Sequence, residues 1–132
     1  MSATKAHILV VDDLYVWRDS LTLLLSANGY EVTTASSCEE AKEYLLTTRF
    51  SLAVLDICLD ETDQKDQGGI LIAEYIIAHH ADIKIIFLTG YPDESHTAQT
   101  MRDGRVQKVV RDYIQKSDVS RLIKAVQNVL AS

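Results

Sequence analysis

Short apolar runs alternate with amphipathic stretches along the chain, and that alternation predicts strands separated by helices. Ile8-Leu9-Val10-Val11, within His7–Asp12, reads as a strand buried on both faces. Tyr15–Asn28 then reads as a helix with Leu21, Leu24 and Leu25 on one face and Gly29 as its C-cap. Tyr30–Ala35 alternates and is β-branched at Val32, Thr33 and Thr34, which predicts a second strand. Ser36 or Ser37 with Glu39 or Glu40 forms a capping-box pattern, opening a helix to about Thr48. Leu52–Asp56 is the third strand, and the polar, acidic stretch Ile57–Gly69 is a loop.

The second half continues the pattern. Ile70–His80 is a helix, and Ile83–Thr89 is the most strongly apolar strand. Pro92, Asp93, Glu94 and Ser95 start a helix that Gly104 ends. Arg105–Arg111 is ambiguous, although Val106, Val109 and Val110 fit a short amphipathic helical turn. Tyr113–Gln115 is a short fifth strand, and Asp118–Leu130 a last helix with Val119, Leu122, Ile123, Val126 and Leu130 on its apolar face. The order is (βα)5: an α/β fold with a doubly wound, five-stranded parallel sheet and right-handed crossovers.

With 132 residues, 47% of them hydrophobic, the chain suits a single domain over 1–132. No apolar stretch approaches the roughly 20 residues needed to span a bilayer, and the N-terminus has no signal-peptide pattern, so no membrane partner is expected. Cys38 and Cys58 fit no metal-site spacing and are too few for a disulfide framework, which points to a reducing, cytoplasmic location. A net charge of −6 argues against direct nucleic-acid binding and leaves protein partners open.

The candidate chemistry lies where strands end. Asp12 and Asp13 close the first apolar run and Asp56 the third, so neighbouring parallel strands would bring three carboxylates to one sheet edge. A pair of carboxylates at about 4 Å repels by roughly 4 kcal/mol at an effective dielectric near 20, so the cluster needs a hard divalent cation, shifted pKa values, or both. Taken singly, each residue has a plainer role. Asp13 could cap the helix at Tyr15, Thr89 could end a strand, Tyr113 could be core and Lys116 solvated. His79 and His80 suit a helix C-terminus, and His7 and His96 have no evident partners. Trp17 reads as packing near the acidic edge, placed to report on a metal there, and Asp60, Glu61, Asp63 and Asp66 read as a solvated loop.

Together, Asp12-Asp13, Asp56, Thr89, Tyr113 and Lys116 sit at predicted strand ends in an order that resembles the receiver domains of two-component response regulators, with the flavodoxin-like fold of chemotaxis proteins. The resemblance covers nearly the whole chain. It implies that Asp56 accepts a phosphoryl group from a histidine kinase or a histidine phosphotransfer protein, as a carboxylate nucleophile can. It implies that Asp12, Asp13, the Asp56 carboxylate and the Cys58 backbone carbonyl hold Mg²⁺, with Mn²⁺ as the alternative. Lys116 would meet a phosphate oxygen and the Thr89 hydroxyl another, while the Tyr113 ring swings inward behind the threonine. The added charge would bias a surface made of the fourth helix, fifth strand and fifth helix toward a downstream protein target, and two copies could pair through that same face. Phosphorylation and dephosphorylation would be self-catalysed, and the output is binding, not enzymatic turnover.

The chain departs from the family in three places. Leu59-Asp60 replaces the usual apolar–proline step and the glycines come late, at Gly68 and Gly69, so the loop after Asp56 is several residues longer than typical. The interval from Thr89 to Lys116 is also long, with Val109-Val110 where a Gly-Ala pair is usual. Ser117 stands where a proline normally follows the lysine; a non-proline cis bond would cost about 3 kcal/mol, so a trans bond is expected. The alternatives are the receiver part of a longer regulator or hybrid kinase, and a degenerate receiver acting as a phosphorylation-independent interaction module. A haloacid-dehalogenase-like phosphatase would want Asp-x-Asp on the first strand, and a dinucleotide enzyme a Gly-x-Gly-x-x-Gly turn; neither pattern is present.

Overall fold

The computed structural model describes residues 6–56, 68–80, 82–89 and 109–131. The apolar runs become five parallel strands of one sheet: β1 (His7–Val11), β2 (Glu31–Ala35), β3 (Leu52–Leu55), β4 (Lys84–Thr89) and β5 (Val110–Gln115), in the order β2-β1-β3-β4-β5. All four residues of β3 are buried, as are Ile8 to Val11, because these strands lie inside the sheet with helices over both faces. The order steps outward from β1 in both directions, which is the doubly wound, flavodoxin-like arrangement the alternation predicted.

The helices among the described residues are α1 (Tyr15–Ala27), α2 (Cys38–Thr47), α3 (Gly68–His79) and α4 (Leu122–Ala131). On one face of the sheet, Ile8, Val10, Leu52, Val54, Ile86, Leu88 and Ile114 pack against Leu21 and Leu25 of α1 and Leu122, Val126 and Val129 of α4. On the other, Leu9, Val11, Ala53, Leu55, Ile85 and Phe87 pack against Ala41 and Leu45 of α2 and Ile72 and Ile76 of α3. In β1, β3 and β4 the residues alternate between the two layers, as the two-residue period demands.

Local chemistry sets the helix ends. After α1, Gly29 takes φ +91°, its N–H bonds the Ser26 carbonyl at 3.0 Å, and the Tyr30 N–H bonds the Leu25 carbonyl at 3.2 Å. That is a Schellman turn, and it needs a residue without a Cβ penalty at positive φ. At the start of α2 the Ser37 hydroxyl accepts from the Glu40 N–H at 3.2 Å, while the Glu40 carboxylate accepts from the Ser36 N–H at 2.6 Å. The capping box therefore closes one residue further out than the usual form.

Three boundaries differ from the sequence reading. α3 begins at Gly68, so Gly68 and Gly69 belong to a helix and not to the preceding loop. β5 begins at Val110 and not at Tyr113, which resolves the ambiguous stretch at its end as strand. The last helix starts at Leu122; Lys116–Arg121 before it is a 3-10 turn, with Asp118 off the helical region at φ −123° and ψ 35°. The expected helix from Pro92 to Gly104, His96 and most of the loop after Asp56 lie outside the described residues.

Pairing of β4 with β5 shifts between Ile85 and Ile86: Ile85 faces Val110, but Ile86 faces Asp112. Arg111 is the extra residue of a bulge. The inserted residue reverses the parity of the strand, so Val110 joins the α2/α3 layer while Ile114 joins the α1/α4 layer.

Candidate functional site

Register and parity place the acidic residues. Val11 pairs with Leu55, so Asp12 and Asp56 are the next residues out on adjacent strands. Their backbones extend the ladder by one step: the Asp12 N–H bonds the Ala35 carbonyl at 3.1 Å and the Asp56 N–H bonds the Val11 carbonyl at 2.9 Å. Each continues the alternation of residues on the α1/α4 face, Ile8-Val10-Asp12 and Leu52-Val54-Asp56. Both are buried, at 1% and 2% exposure, and Asp13 beside them is half-buried. One carboxylate oxygen from each of Asp12, Asp13 and Asp56 lies within 4.8 Å of the others.

Lys116 arrives from β5 by the same logic. The bulge puts Ile114 on the α1/α4 face, and Lys116, two residues on, follows it. Its Nζ lies 2.8 Å from Asp12 Oδ2 and 3.2 Å from Asp56 Oδ2, with the residue only 8% exposed. Burial pushes the ammonium toward its neutral form, but the hydrogen bond to Asp12 and the charges of Asp56 and Asp12 outweigh it, leaving the Lys116 pKa above the ordinary lysine value. Lys116 is thus a held cation. The described peptide bonds are all trans, Lys116–Ser117 included, as the absence of proline there predicted.

The first turn of α1 supports this edge. The Leu14 N–H donates to Asp12 Oδ1 at 2.9 Å, so the Asp12 side chain braces the entrance to α1. Arg18 Nη1 donates to the Asp12 carbonyl at 2.8 Å. The Trp17 ring lies under the Lys116 ammonium, 4.9 Å from Nζ to the ring centroid. The sequence places Trp17 near the acidic edge, as packing and as a reporter on a metal there, but gives no sign of its contact with Lys116 or of the role of Arg18. A signal was present for the tryptophan: Trp17, Leu21 and Leu25 are spaced i, i+4, i+8, which puts the indole on the stripe facing the sheet.

Other expectations fall variously. Tyr113 is half-buried, pairs with Phe87 in register and packs on the α2/α3 layer. Thr89 ends β4 opposite Gln115; its hydroxyl, like Cys58 and its carbonyl, lies outside what is described. His79 and His80 pack against the Tyr75 ring, at centroid distances of 4.7 and 5.7 Å. His7 does have partners: its Nε2 is 2.6 Å from Thr33 Oγ1, its Nδ1 is 3.8 Å from the Glu31 carboxylate, and its ring meets Phe50 edge-on.

Three carboxylates converge with one ammonium at a mostly buried edge. Its donor atoms are hard oxygens, close enough to converge on one small cation, and the cluster fits a receiver-type Mg²⁺ site. Among the described residues no helix is long and apolar enough to cross a membrane.

Comparison with known proteins gives one family. The model of the response regulator receiver domain matches residues 8–127. The transcriptional regulatory protein FixJ of Bradyrhizobium diazoefficiens is 29% identical over 113 residues, covering 86% of this chain and 50% of FixJ. The chain spans about half or less of the length of the curated relatives it matches. Among solved structures, a CheY-like receiver domain protein from Methanospirillum hungatei superposes with a TM-score of 0.82 at 25% identity, covering 97% of this chain and 95% of that one. The response regulator TrrA of Thermotoga maritima, solved in complex with Mg²⁺-BeF, gives a TM-score of 0.72 at 31% identity, covering 94% and 98%. The family match takes in Asp12, Asp13, Asp56 and Lys116 together, and the chain belongs to the response regulator receiver domains.

Proposed function

We propose that this receiver is a phosphoryl-accepting switch in which Asp56 is the acceptor. The observation that carries the reading is the Lys116 ammonium held 2.8 Å from Asp12 and 3.2 Å from Asp56 at an edge where three carboxylates converge. Asp56 attacks the phosphorus of a phosphohistidine or a small acyl phosphate through a carboxylate oxygen. The new O–P bond forms as the donor's bond to phosphorus breaks, and the donor leaves with the electron pair. Lys116, already charged and pointed at the acceptor, meets a phosphoryl oxygen as a point charge. Asp12, Asp13 and Asp56 would hold Mg²⁺, which supplies positive charge against the phosphoryl oxygens when bound. That TrrA was solved with Mg²⁺-BeF supports a metal at this edge.

The donor is a histidine kinase or a histidine phosphotransfer protein. Tyr15 and Val16, at 70% and 69% exposure on the first turn of α1, give such a protein an apolar surface beside the acceptor. Thr89 and Tyr113 relay the new charge toward a downstream protein target, along β4 and β5, whose register pairs Phe87 with Tyr113 and Thr89 with Gln115. The deciding experiment is mass spectrometry of the intact protein after treatment with acetyl phosphate, with and without Mg²⁺. A Mg²⁺-dependent gain of one phosphoryl group, lost in Asp56→Asn, is expected. Labelling that persists in Asp56→Asn would move the acceptor elsewhere, and none in the wild type would leave the module phosphorylation-independent.

A further inference from the structure

The acidic trio and Lys116 account for the charges at the sheet edge, but not for the aromatic face beneath the lysine. The geometry points to Trp17 as the positioning residue for Lys116: its indole face, 4.9 Å below Nζ, holds the ammonium against Asp12 and Asp56 in the orientation that phosphoryl transfer uses. This inference rests on Asp56 being the acceptor.

Lysine carries four rotatable bonds in its stem and a compact, strongly hydrated charge, so one or two hydrogen bonds do not fix where it points. Lys116 also follows β5 as the first residue of the 3-10 turn Lys116–Arg121, where the chain leaves the sheet. Trp17 is held independently. It is half-buried, lies on the same helical stripe as the fully buried Leu21 and Leu25, and packs on the α1/α4 layer. The helix that carries it is tied to the site at Asp12, through the Leu14 N–H at 2.9 Å and Arg18 Nη1 at 2.8 Å. One turn of α1 therefore positions both the carboxylate that Lys116 touches and the surface that it rests on. A ring face attracts a cation without adding a formal charge. It steadies the ammonium while leaving its hydrogen-bond donors for the carboxylates and, later, for a phosphoryl oxygen.

Trp17→Phe keeps a ring, and Trp17→Leu keeps apolar bulk without one. Two readouts on the full chain separate positioning from plain packing. The first is the rate of Asp56 phosphorylation by acetyl phosphate at saturating Mg²⁺. Trp17→Leu should slow it about five- to tenfold, Trp17→Phe should stay within about twofold, and Trp17→Leu should add less than about twofold in a Lys116→Met background; a tenfold change corresponds to about 1.4 kcal/mol. The second is NMR of the Lys116 side chain, whose ring-current shifts should persist in Trp17→Phe and collapse toward those of exposed lysine in Trp17→Leu. Equal rates for wild type and Trp17→Leu, or an undiminished Trp17→Leu effect without Lys116, would overturn the proposal. If the wild type takes no phosphoryl group at Asp56, the functional reading fails and the NMR arm decides the positioning claim alone: unchanged Lys116 signals in Trp17→Leu refute it.

Discussion

Lys116→Met removes the ammonium from the acidic edge and keeps most of the stem. With Nζ at 2.8 and 3.2 Å from the two carboxylates, Coulomb attraction at an effective dielectric near 20 comes to about 6 and about 5 kcal/mol. Much of that offsets the burial of a cation only 8% exposed, and removing one partner from a buried ionic cluster typically costs about 3–5 kcal/mol net. The substitution also leaves Asp12 and Asp56 facing each other at 1% and 2% exposure. In urea with EDTA at pH 7.5, a slope of about 1.5 kcal/mol per molar turns that loss into a midpoint about 2–3 M lower. Mg²⁺ should then recover a larger share of stability in the variant than in the wild type, because the lysine no longer competes for the same oxygens. The pH dependence has a definite sign. The folded Lys116 pKa is raised, so its contribution is fully present below the ordinary lysine value near 10.4 and is lost as pH rises through the higher folded value. The wild type's advantage should therefore hold through pH 9 and narrow only in strong alkali. A midpoint shift under about 0.5 M in EDTA, or a Mg²⁺ increment no larger in the variant, would refute this account of the edge.

Millimolar Mg²⁺ should change the emission of Trp17, the chain's single tryptophan, through the lysine on its ring; the response should disappear in Asp12→Asn/Asp13→Asn, and its survival there would place the metal elsewhere. Gly29→Ala should destabilise by about 1–2 kcal/mol in thermal unfolding, since φ +91° is strained for any side chain even though the added Cβ meets open space; a neutral result would mean that the turn relaxes. Ser37→Ala should cost about 1 kcal/mol by removing the acceptor for the Glu40 N–H, and urea unfolding without a change in slope would show it as a simple cap loss. Leu25→Ala, at 0% exposure between α1 and the sheet, should cost about 2–5 kcal/mol; a loss under 1 kcal/mol would mean that this layer closes over the cavity.

Strands were legible because burial on both faces leaves a run of apolar letters that little else produces; β1 to β4 begin and end within a residue of where those runs do. β5 was not legible to its start. Its bulge at Arg111 breaks the two-residue period, so Val110 and Tyr113 share a layer although their spacing is odd. The last helix misled for a different reason. Val119 fits its apolar stripe, but Asp118 departs from helical angles, and the turn that follows the pinned Lys116 winds more tightly than an α-helix. The carboxylates could be read from their place at strand ends. Lys116 could not be read from its own letter, since nothing local to a lysine tells a buried one from a solvated one, and its partners are on β1 and β3, far back in the chain. Trp17 lay between these cases: its helical spacing gave its face, and only the fold gave the cation above it.

The site depends on sheet register as much as on residue type. Asp12, Asp56 and Lys116 each follow the end of a different strand, and they meet because each has the parity of the α1/α4 face. For β1 and β3 this follows from uninterrupted alternation. For β5 it follows from the bulge: with Val110 seated in the α2/α3 layer, an unbroken strand would carry Ile114 and Lys116 to that same side, across the sheet from Asp12. The extra residue therefore has two effects. It puts Ile114 into the core beneath α1 and α4, and it delivers the cation to the carboxylates. A β-bulge next to a charged site is commonly a device for aiming a side chain. Here the aim is visible around the ammonium itself, in two carboxylate oxygens within 3.2 Å of Nζ and an indole face 4.9 Å from it. An irregularity that spoils the sequence pattern is what completes the functional edge.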